Sequence, residues 1–133
     1  MKVLFVCKYN AGRSQMAEAF FNGLSKKHQA TSAGTHATER IHLPMPEFVL
    51  TSMNKLGFDL SKHFRKQLNP EMAEKADKVV MITEKENLPD YVKKSSKTIH
   101  WDVPDAKDKS YEFHCMVRDQ IKVLVEKLVK GIG

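Results

Sequence analysis

The sequence predicts an α/β fold in which a parallel sheet is covered by helices on both faces. Short apolar runs alternate with amphipathic stretches along the chain, which is the pattern of βαβ units. The first run, residues 3–6, is continuously apolar, as in strands that are buried on both faces. The chain contains four short apolar runs, and the crossover connections of βαβ units are right-handed. Together these predict a three-layer fold around a four-stranded parallel sheet.

The length of the chain predicts the number of domains, and its net charge limits the kinds of partner expected. A chain of 133 residues is the size of one domain, so residues 1–133 are expected to form a single core. The formal charge of +6 favours anionic ligands, but the lysines are scattered, and no nucleic-acid partner is expected. No apolar run approaches the roughly 20 residues of a membrane helix, so no membrane partner is expected either.

The cysteine content predicts a protein of a reducing compartment. Only Cys7 and Cys115 are present, and nothing obliges them to pair. With no recognisable secretory segment, free thiols favour a cytoplasmic location. The six histidines lack the spacing of a zinc site, so no metal is expected.

Strands and helices are expected in alternation. The predicted strands are residues 3–6, 30–33, 78–82 and 98–101. The predicted helices start near residues 14, 44–47, 70 and 111. Asn69-Pro70 has the residues of an N-cap followed by a first helical position, and Gly57 suits a left-handed helix stop. Thr83 and Glu86 have capping-box spacing, which predicts a brief helical turn before Pro89.

The last helix has the clearest period in the chain. Ser110 can cap it, and apolar residues recur at intervals of three or four. The predicted core stripe consists of Phe113, Val117, Ile121, Leu124 and Leu128.

Residues 7–14, Cys-Lys-Tyr-Asn-Ala-Gly-Arg-Ser, join the first strand to the first helix, and ligands of parallel sheets bind at such strand ends. A short loop of this kind can direct successive N–H groups at an anion, and the helix dipole adds to the same field. Gly12 is expected to permit a tight turn, and Asn10 tolerates a left-handed backbone. Arg13 offers a two-pronged donor for two oxygens of a phosphate-like group.

Cys7 is the candidate nucleophile of this loop. A helix N-terminus and a nearby cation favour the thiolate, and the Ser14 hydroxyl can donate a hydrogen bond to it. The alternative is a small buried cysteine that ends a strand beside an ordinary surface arginine. The concentration of Cys, Asn, Gly, Arg and Ser in one strand-to-helix turn favours the site.

The run from Val3 to Glu18 resembles the phosphate-binding loop of the low-molecular-weight protein tyrosine phosphatase superfamily, and residues 10–17 are most similar to its arsenate reductase branch. Residues 31–35, 57–61 and 117–121 are similar to further segments of that family. The resemblance implies the sheet order 2-1-3-4 and a catalytic role for Cys7 and Arg13. It also implies a substrate-binding loop made of Lys8, Tyr9, Asn10, Ala11, Gly12, Arg13 and Ser14.

In the resembling family, an aspartate after the fourth strand acts as general acid, usually within Asp-Pro. Here the matching stretch is Trp-Asp-Val-Pro-Asp-Ala-Lys, residues 101–107. Asp105 aligns best, with proline before it instead of after it, and Asp102 is the second candidate. Either carboxyl can protonate a departing oxygen if it reaches the loop.

Two reactions share attack by Cys7 on a tetrahedral centre. The favoured interpretation is an arsenate reductase, which needs a second thiol to release arsenite. The loop after the third predicted strand, residues 83–90, contains no cysteine that could supply it. The second thiol is therefore expected from outside, from a low-molecular-weight thiol, glutaredoxin or thioredoxin, with Cys115 as the less favoured alternative. No bound cofactor is expected.

The second interpretation is a phosphatase that hydrolyses phosphotyrosine or another phosphate monoester. It needs an aromatic slot, and Ala106-Lys107 supply no ring after the candidate acid. Tyr9, Phe48 and Tyr111 are the aromatic residues that can compensate. The third interpretation is a phosphoryl-carrier or anion-binding module without turnover, which Arg13 and the acidic loop disfavour.

Overall fold

The computed structural model describes residues 1–133. Four parallel strands form one sheet in the order β2-β1-β3-β4, which confirms the predicted fold class. The strands are β1 (Lys2–Cys7), β2 (Gln29–Gly34), β3 (Lys78–Met81) and β4 (Thr98–His100).

Five α-helices connect and follow the strands. They are α1 (Arg13–Leu24), α2 (Glu47–Asn54), α3 (Pro70–Lys75), α4 (Asp90–Lys93) and α5 (Tyr111–Ile132), with 3-10 turns at Thr38–Arg40 and Lys85–Asn87. None of the helices is both long and apolar enough to cross a membrane.

The central strand β1 supplies side chains to two core layers. Val3, Phe5 and Cys7 belong to the larger layer, which α1, α2 and α5 cover. Leu4 and Val6 belong to the smaller layer beneath α3 and α4. This alternation explains the continuously apolar sequence of β1, because a strand between two helical layers has no solvent face.

The predicted helix signals at three places are confirmed. Asn69 Oδ1 accepts a hydrogen bond from the N–H of Met72 at 2.9 Å, and Ser110 Oγ accepts one from the N–H of Phe113 at 3.1 Å. Gly57, after α2, has φ +87°. These caps satisfy the free N–H groups at the starts of α3 and α5.

The brief helical turn predicted before Pro89 is present as a 3-10 segment at 85–87, but the cap predicted for it is wrong. Thr83 caps no helix, because its hydroxyl donates to Glu84 Oε2 at 3.1 Å. Pro89 follows the end of this turn and also precedes α4, as its cap. Proline is favoured at helix starts, so the same residue fits either role in the sequence.

The buried face of α5 is rotated from the predicted stripe. Phe113, Leu124 and Leu128 are only half-buried, whereas Val125 is fully buried, along with the predicted Val117 and Ile121. His114 and Arg118 are also buried, and Arg118 Nη1 donates to the Ser52 carbonyl at 2.9 Å. The helix packs against both α1 and α2, so it buries a wider arc that includes polar side chains, which an apolar period does not indicate.

Candidate active site

The loop between β1 and α1 presents unpaired backbone donors at the carboxyl end of the sheet. None of the N–H groups of residues 8–14 donates to another group of the protein. The loop also leads directly into α1, whose amino end carries the positive end of the helix dipole. The backbone is therefore free to donate to a bound tetrahedral anion.

Asn10 shapes this loop from behind. It is completely buried and adopts φ 54°, the left-handed conformation predicted for it. Its Oδ1 accepts hydrogen bonds from the N–H of Lys66 at 2.9 Å and from Gln15 Nε2 at 3.0 Å. Because a backbone N–H can only donate, these contacts fix the orientation of the amide, and Nδ2 must face the other way.

The Asn10 amide also contacts the hydroxyl that lies beside Cys7. Asn10 Nδ2 donates to Ser14 Oγ at 2.8 Å, and Ser14 Oγ lies 2.9 Å from Cys7 Sγ. Since the Ser14 oxygen already accepts from Asn10, its own proton is available to donate to the sulfur. Ser14 is therefore placed to donate a hydrogen bond to Cys7 Sγ.

A layer of polar residues behind the loop was not predicted from the sequence. Asn10 Nδ2 also donates to Ser32 Oγ at 3.0 Å, and Ser32 Oγ donates to Glu18 Oε1 at 3.0 Å. Lys66 Nζ lies 3.8 Å from the same Glu18 oxygen, and burial lowers the pKa of Lys66. The similarity of residues 31–35 to the resembling family was the one signal that pointed towards Ser32.

Gly34 allows the loop and β2 to approach closely. A Cβ atom at Gly34 would lie 2.8 Å from Asn10 N and from the Lys8 carbonyl oxygen. Thr35 N–H donates to the Cys7 carbonyl at 2.9 Å, just beyond this contact. Gly12 has φ −142° and ψ −89°, outside the helical and extended regions, and a Cβ there would meet only Val49 Cγ2 at 3.8 Å.

Arg13 connects the loop to the segment after β4. It is 6% exposed, and its Nη1 donates to the Val103 carbonyl at 3.0 Å. Arg13 Nη2 lies 3.7 Å from Asp105 Oδ2. Asp105 Oδ1 accepts from the N–H of Lys107 at 2.9 Å, which orients the carboxyl. Asp102 does not line the pocket. Its backbone carbonyl accepts a hydrogen bond from Gln120 Nε2.

These residues surround one pocket of about 360 Å³. Of the predicted site residues, the ones that line it are Cys7, Tyr9, Ala11, Gly12, Arg13 and Asp105. Lys8, Asn10 and Ser14 do not line it; Asn10 and Ser14 instead support the loop from inside the protein. Cys115 is half-buried on α5 and does not line the pocket either, so Cys7 is the only thiol there.

The wall of the pocket combines aromatic rings with cations. The guanidinium carbon of Arg40 lies 4.0 Å from the centroid of the Tyr9 ring, and Lys107 Nζ lies 5.5 Å from the same centroid. Phe48 packs edge-on against His114, with ring centroids 5.3 Å apart. Such contacts hold cations over ring faces and fix the side chains around the opening.

The positive field extends to the loop after β3. A backbone hydrogen bond lowers the pKa of the Glu84 carboxyl, and the hydrogen bond from Thr83 acts in the same direction, against the opposing effect of burial. The charges of Arg13 and Lys8 lower it further. Lys8 therefore lies near enough to Glu84 to lower the pKa of its carboxyl, although Lys8 does not line the pocket.

Comparison with known proteins agrees with this geometry. Residues 2–133 match the profile of the family described as "Low molecular weight phosphotyrosine protein phosphatase". The glutaredoxin arsenate reductase of Synechocystis sp. is 32% identical over 134 residues, which covers 99% of this chain and 98% of the relative.

Two solved structures cover nearly the whole chain. A low-molecular-weight protein tyrosine phosphatase from T. tengcongensis superposes with a TM-score of 0.87 and 28% identity, over 98% of this chain and 99% of that one. An arsenate reductase in its phosphate-binding state superposes with a TM-score of 0.84 and 31% identity, over 99% and 98% of the two chains. The chain therefore belongs to the low-molecular-weight phosphotyrosine protein phosphatase family, whose members similar to it include both phosphatases and arsenate reductases.

Proposed function

We propose that the protein reduces arsenate to arsenite, with Cys7 as nucleophile and a thiol from outside the chain as the second sulfur. Full-length similarity to named arsenate reductases supports the reaction. The single observation that supports a thiol from outside the chain is that Cys7 is the only thiol that lines the pocket. A reducing cytoplasm, which keeps both partners as free thiols, suits this chemistry.

The first step forms a bond between Cys7 Sγ and arsenic. The N–H groups of residues 8–14 and the Arg13 guanidinium hold the arsenate oxygens. The hydroxyl group of hydrogen arsenate takes a proton from Asp105 and leaves as water, so the sulfur–arsenic bond replaces the bond from arsenic to that oxygen. Asp105 suits this role because it lines the pocket 3.7 Å from Arg13, whereas Asp102 does not.

The second step transfers two electrons. The external thiolate attacks Cys7 Sγ, a disulfide forms, and the pair from the sulfur–arsenic bond passes to arsenic, which leaves as arsenite. A second thiol then attacks the mixed disulfide and regenerates Cys7. Overall, two thiols are oxidised to one disulfide while arsenic(V) becomes arsenic(III). A low-molecular-weight thiol, glutaredoxin or thioredoxin can supply these thiols.

Hydrolysis of a phosphate monoester is the second candidate, and the size and lining of the pocket favour it. A volume of about 360 Å³ with Tyr9 and Phe48 in the wall offers room beyond the oxyanion for an organic group. Cys7 would then take the phosphoryl group, Asp105 would protonate the leaving alcohol, and water would release phosphate.

One set of assays separates the two reactions. Purified protein is incubated with arsenate and either glutathione, glutaredoxin with glutathione, or thioredoxin with its reductase, and arsenite is quantified. The same preparation is assayed on p-nitrophenyl phosphate. We expect arsenite only when a thiol system is added. Rapid ester hydrolysis without arsenite under any thiol system would reject the reductase in favour of the phosphatase.

A further inference from the structure

Arg65 is a buried cation that the reaction at Cys7 does not use. The residue is 5% exposed and lines the same pocket as Cys7. Its Nη2 donates to the Pro44 carbonyl at 2.9 Å, but its buried Nε has no hydrogen-bond partner. Buried charges are normally paired, and a buried donor without an acceptor is unfavourable, so this guanidinium lacks an anion.

Arg40 adds a second unpaired charge beside it. Arg40 lines the pocket and is held in place by its contact with the Tyr9 ring, 4.0 Å from the centroid. Neither Arg40 nor Arg65 has a carboxylate within ion-pair distance, whereas Arg13 has Asp105. Burial lowers the pKa of Arg65, and the charge of Arg40 lowers it further, so the two guanidinium groups repel one another.

The pocket has room for a ligand larger than one tetrahedral anion. Its volume of about 360 Å³ lies in the range of sites for organic molecules, roughly 300–1,000 Å³. The side chains that line it carry more positive than negative charge: Arg13, Arg40, Arg65, Lys107 and Lys109 against Glu47, Asp105 and Asp108. A ligand with a second anionic group would relieve the repulsion at Arg40 and Arg65.

We propose that Arg65 and Arg40 form a second anion site, which binds a carboxylate of the small thiol that attacks the Cys7 adduct. This inference rests on the proposed arsenate reduction. Guanidinium groups bind carboxylates through two parallel hydrogen bonds, and Arg65, which lines the pocket, has donors besides the one that the Pro44 carbonyl accepts. The bound carboxylate positions the thiol in the pocket, and the sulfur chemistry is the second step described above.

Matched thiols and matched variants test the second anion site. Glutathione is compared with its diethyl ester, which has the same thiol but no carboxylate, and arsenite formation gives kcat/KM for each. We expect the wild-type protein to prefer glutathione. In Arg65→Gln and in Arg40→Gln the ratio of the two kcat/KM values should fall about tenfold, as for loss of a charged hydrogen bond. Lys27→Gln, an exposed cation on the connection from α1 to β2, should keep the wild-type ratio.

A binding measurement gives a readout without turnover. S-methylglutathione cannot react, and calorimetry should show that it binds the wild-type protein and that each arginine variant binds about tenfold more weakly. If Arg65→Gln loses its native circular dichroism spectrum, the partly exposed Arg40→Gln decides the result. Unchanged binding in folded variants would overturn the second anion site.

The outcomes separate this inference from the proposed function. Arsenite formation with equal efficiency for glutathione and its ester overturns the second anion site and leaves the reductase intact. Turnover with a redoxin but with no small thiol does the same. If no thiol system yields arsenite, the reductase fails, and a second anion site that holds the attacking thiol fails with it.

Discussion

Asn10 Nδ2 lies 2.8 Å from Ser14 Oγ and donates a hydrogen bond to it. The Asn10 amide is held by the N–H of Lys66, and Ser14 Oγ lies 2.9 Å from Cys7 Sγ, where its hydroxyl can donate to the sulfur. Ser14 is thus held beside the thiol by a residue that makes no hydrogen bond to the sulfur.

Removal of the Ser14 hydroxyl should make Cys7 less reactive. In Ser14→Ala the sulfur loses its donor at 2.9 Å, and a hydrogen bond to a charged group contributes about 1.5–3 kcal/mol. We expect alkylation of Cys7 by iodoacetamide at pH 7 to slow by about tenfold or more, followed by mass spectrometry on a Cys115→Ser background. Ser14→Thr keeps a hydroxyl and serves as the control. Equal alkylation rates for Ser14→Ala and the parent would show that the contact does not favour the thiolate.

Replacement of Cys7 should abolish turnover without loss of the fold. Serine is nearly the same size but a far weaker nucleophile, so Cys7→Ser is expected to form no arsenite and to hydrolyse no ester. Circular dichroism checks that the variant is native. Cys115→Ser should stay active, because Cys115 does not line the pocket. Loss of arsenite formation in Cys115→Ser would instead assign the second sulfur to that residue.

The two candidate acids should differ in effect. Asp105→Asn removes the carboxyl that lines the pocket, and loss of a general acid costs typically 10²–10⁴-fold in rate. Asp102→Asn should change the rate little. Hydrolysis of phenyl phosphate is a suitable measurement, since its poor leaving group depends on protonation. The reverse ranking of the two variants would move the acid to Asp102.

The close approach at Gly34 predicts a loss of stability. In Gly34→Ala the new methyl group meets backbone atoms at 2.8 Å, which cannot move aside like a flexible side chain. Overpacking of this kind costs about 1–3 kcal/mol in the free energy of unfolding, measured by chemical denaturation. Gly131→Ala on α5, where a Cβ has no neighbour within 4 Å, should instead be neutral or slightly stabilising. Similar stability of Gly34→Ala and wild type would show that the loop adjusts.

Sequence reasoning recovered what is encoded locally. Cys7, Asn10 and Arg13 lie within one strand-to-helix turn, and the chemistry of each residue type suggests its place there. The strands were found to within one residue at each end. For β1 and β3 the reason is burial on two faces, which leaves a continuous apolar run.

The missed features depend on contacts between distant segments. Arg40 ends a 3-10 turn and Arg65 lies between α2 and α3, and nothing in their neighbouring sequence distinguishes them from surface cations. The buried His114 and Arg118 were missed for the same reason, since α5 turns polar residues inward where it meets α2. The apolar period of one segment does not indicate which distant segments pack against it.

The two groups proposed to react, Cys7 and Asp105, lie in different surroundings. Cys7 ends the central strand, which is bonded on either side to a neighbouring strand, and belongs to the main core. Asp105 lies on an irregular segment, and its side chain is 42% exposed. Regions with many buried contacts open less readily than exposed loops, so the sulfur is held more firmly than the carboxyl that is proposed to protonate the departing oxygen.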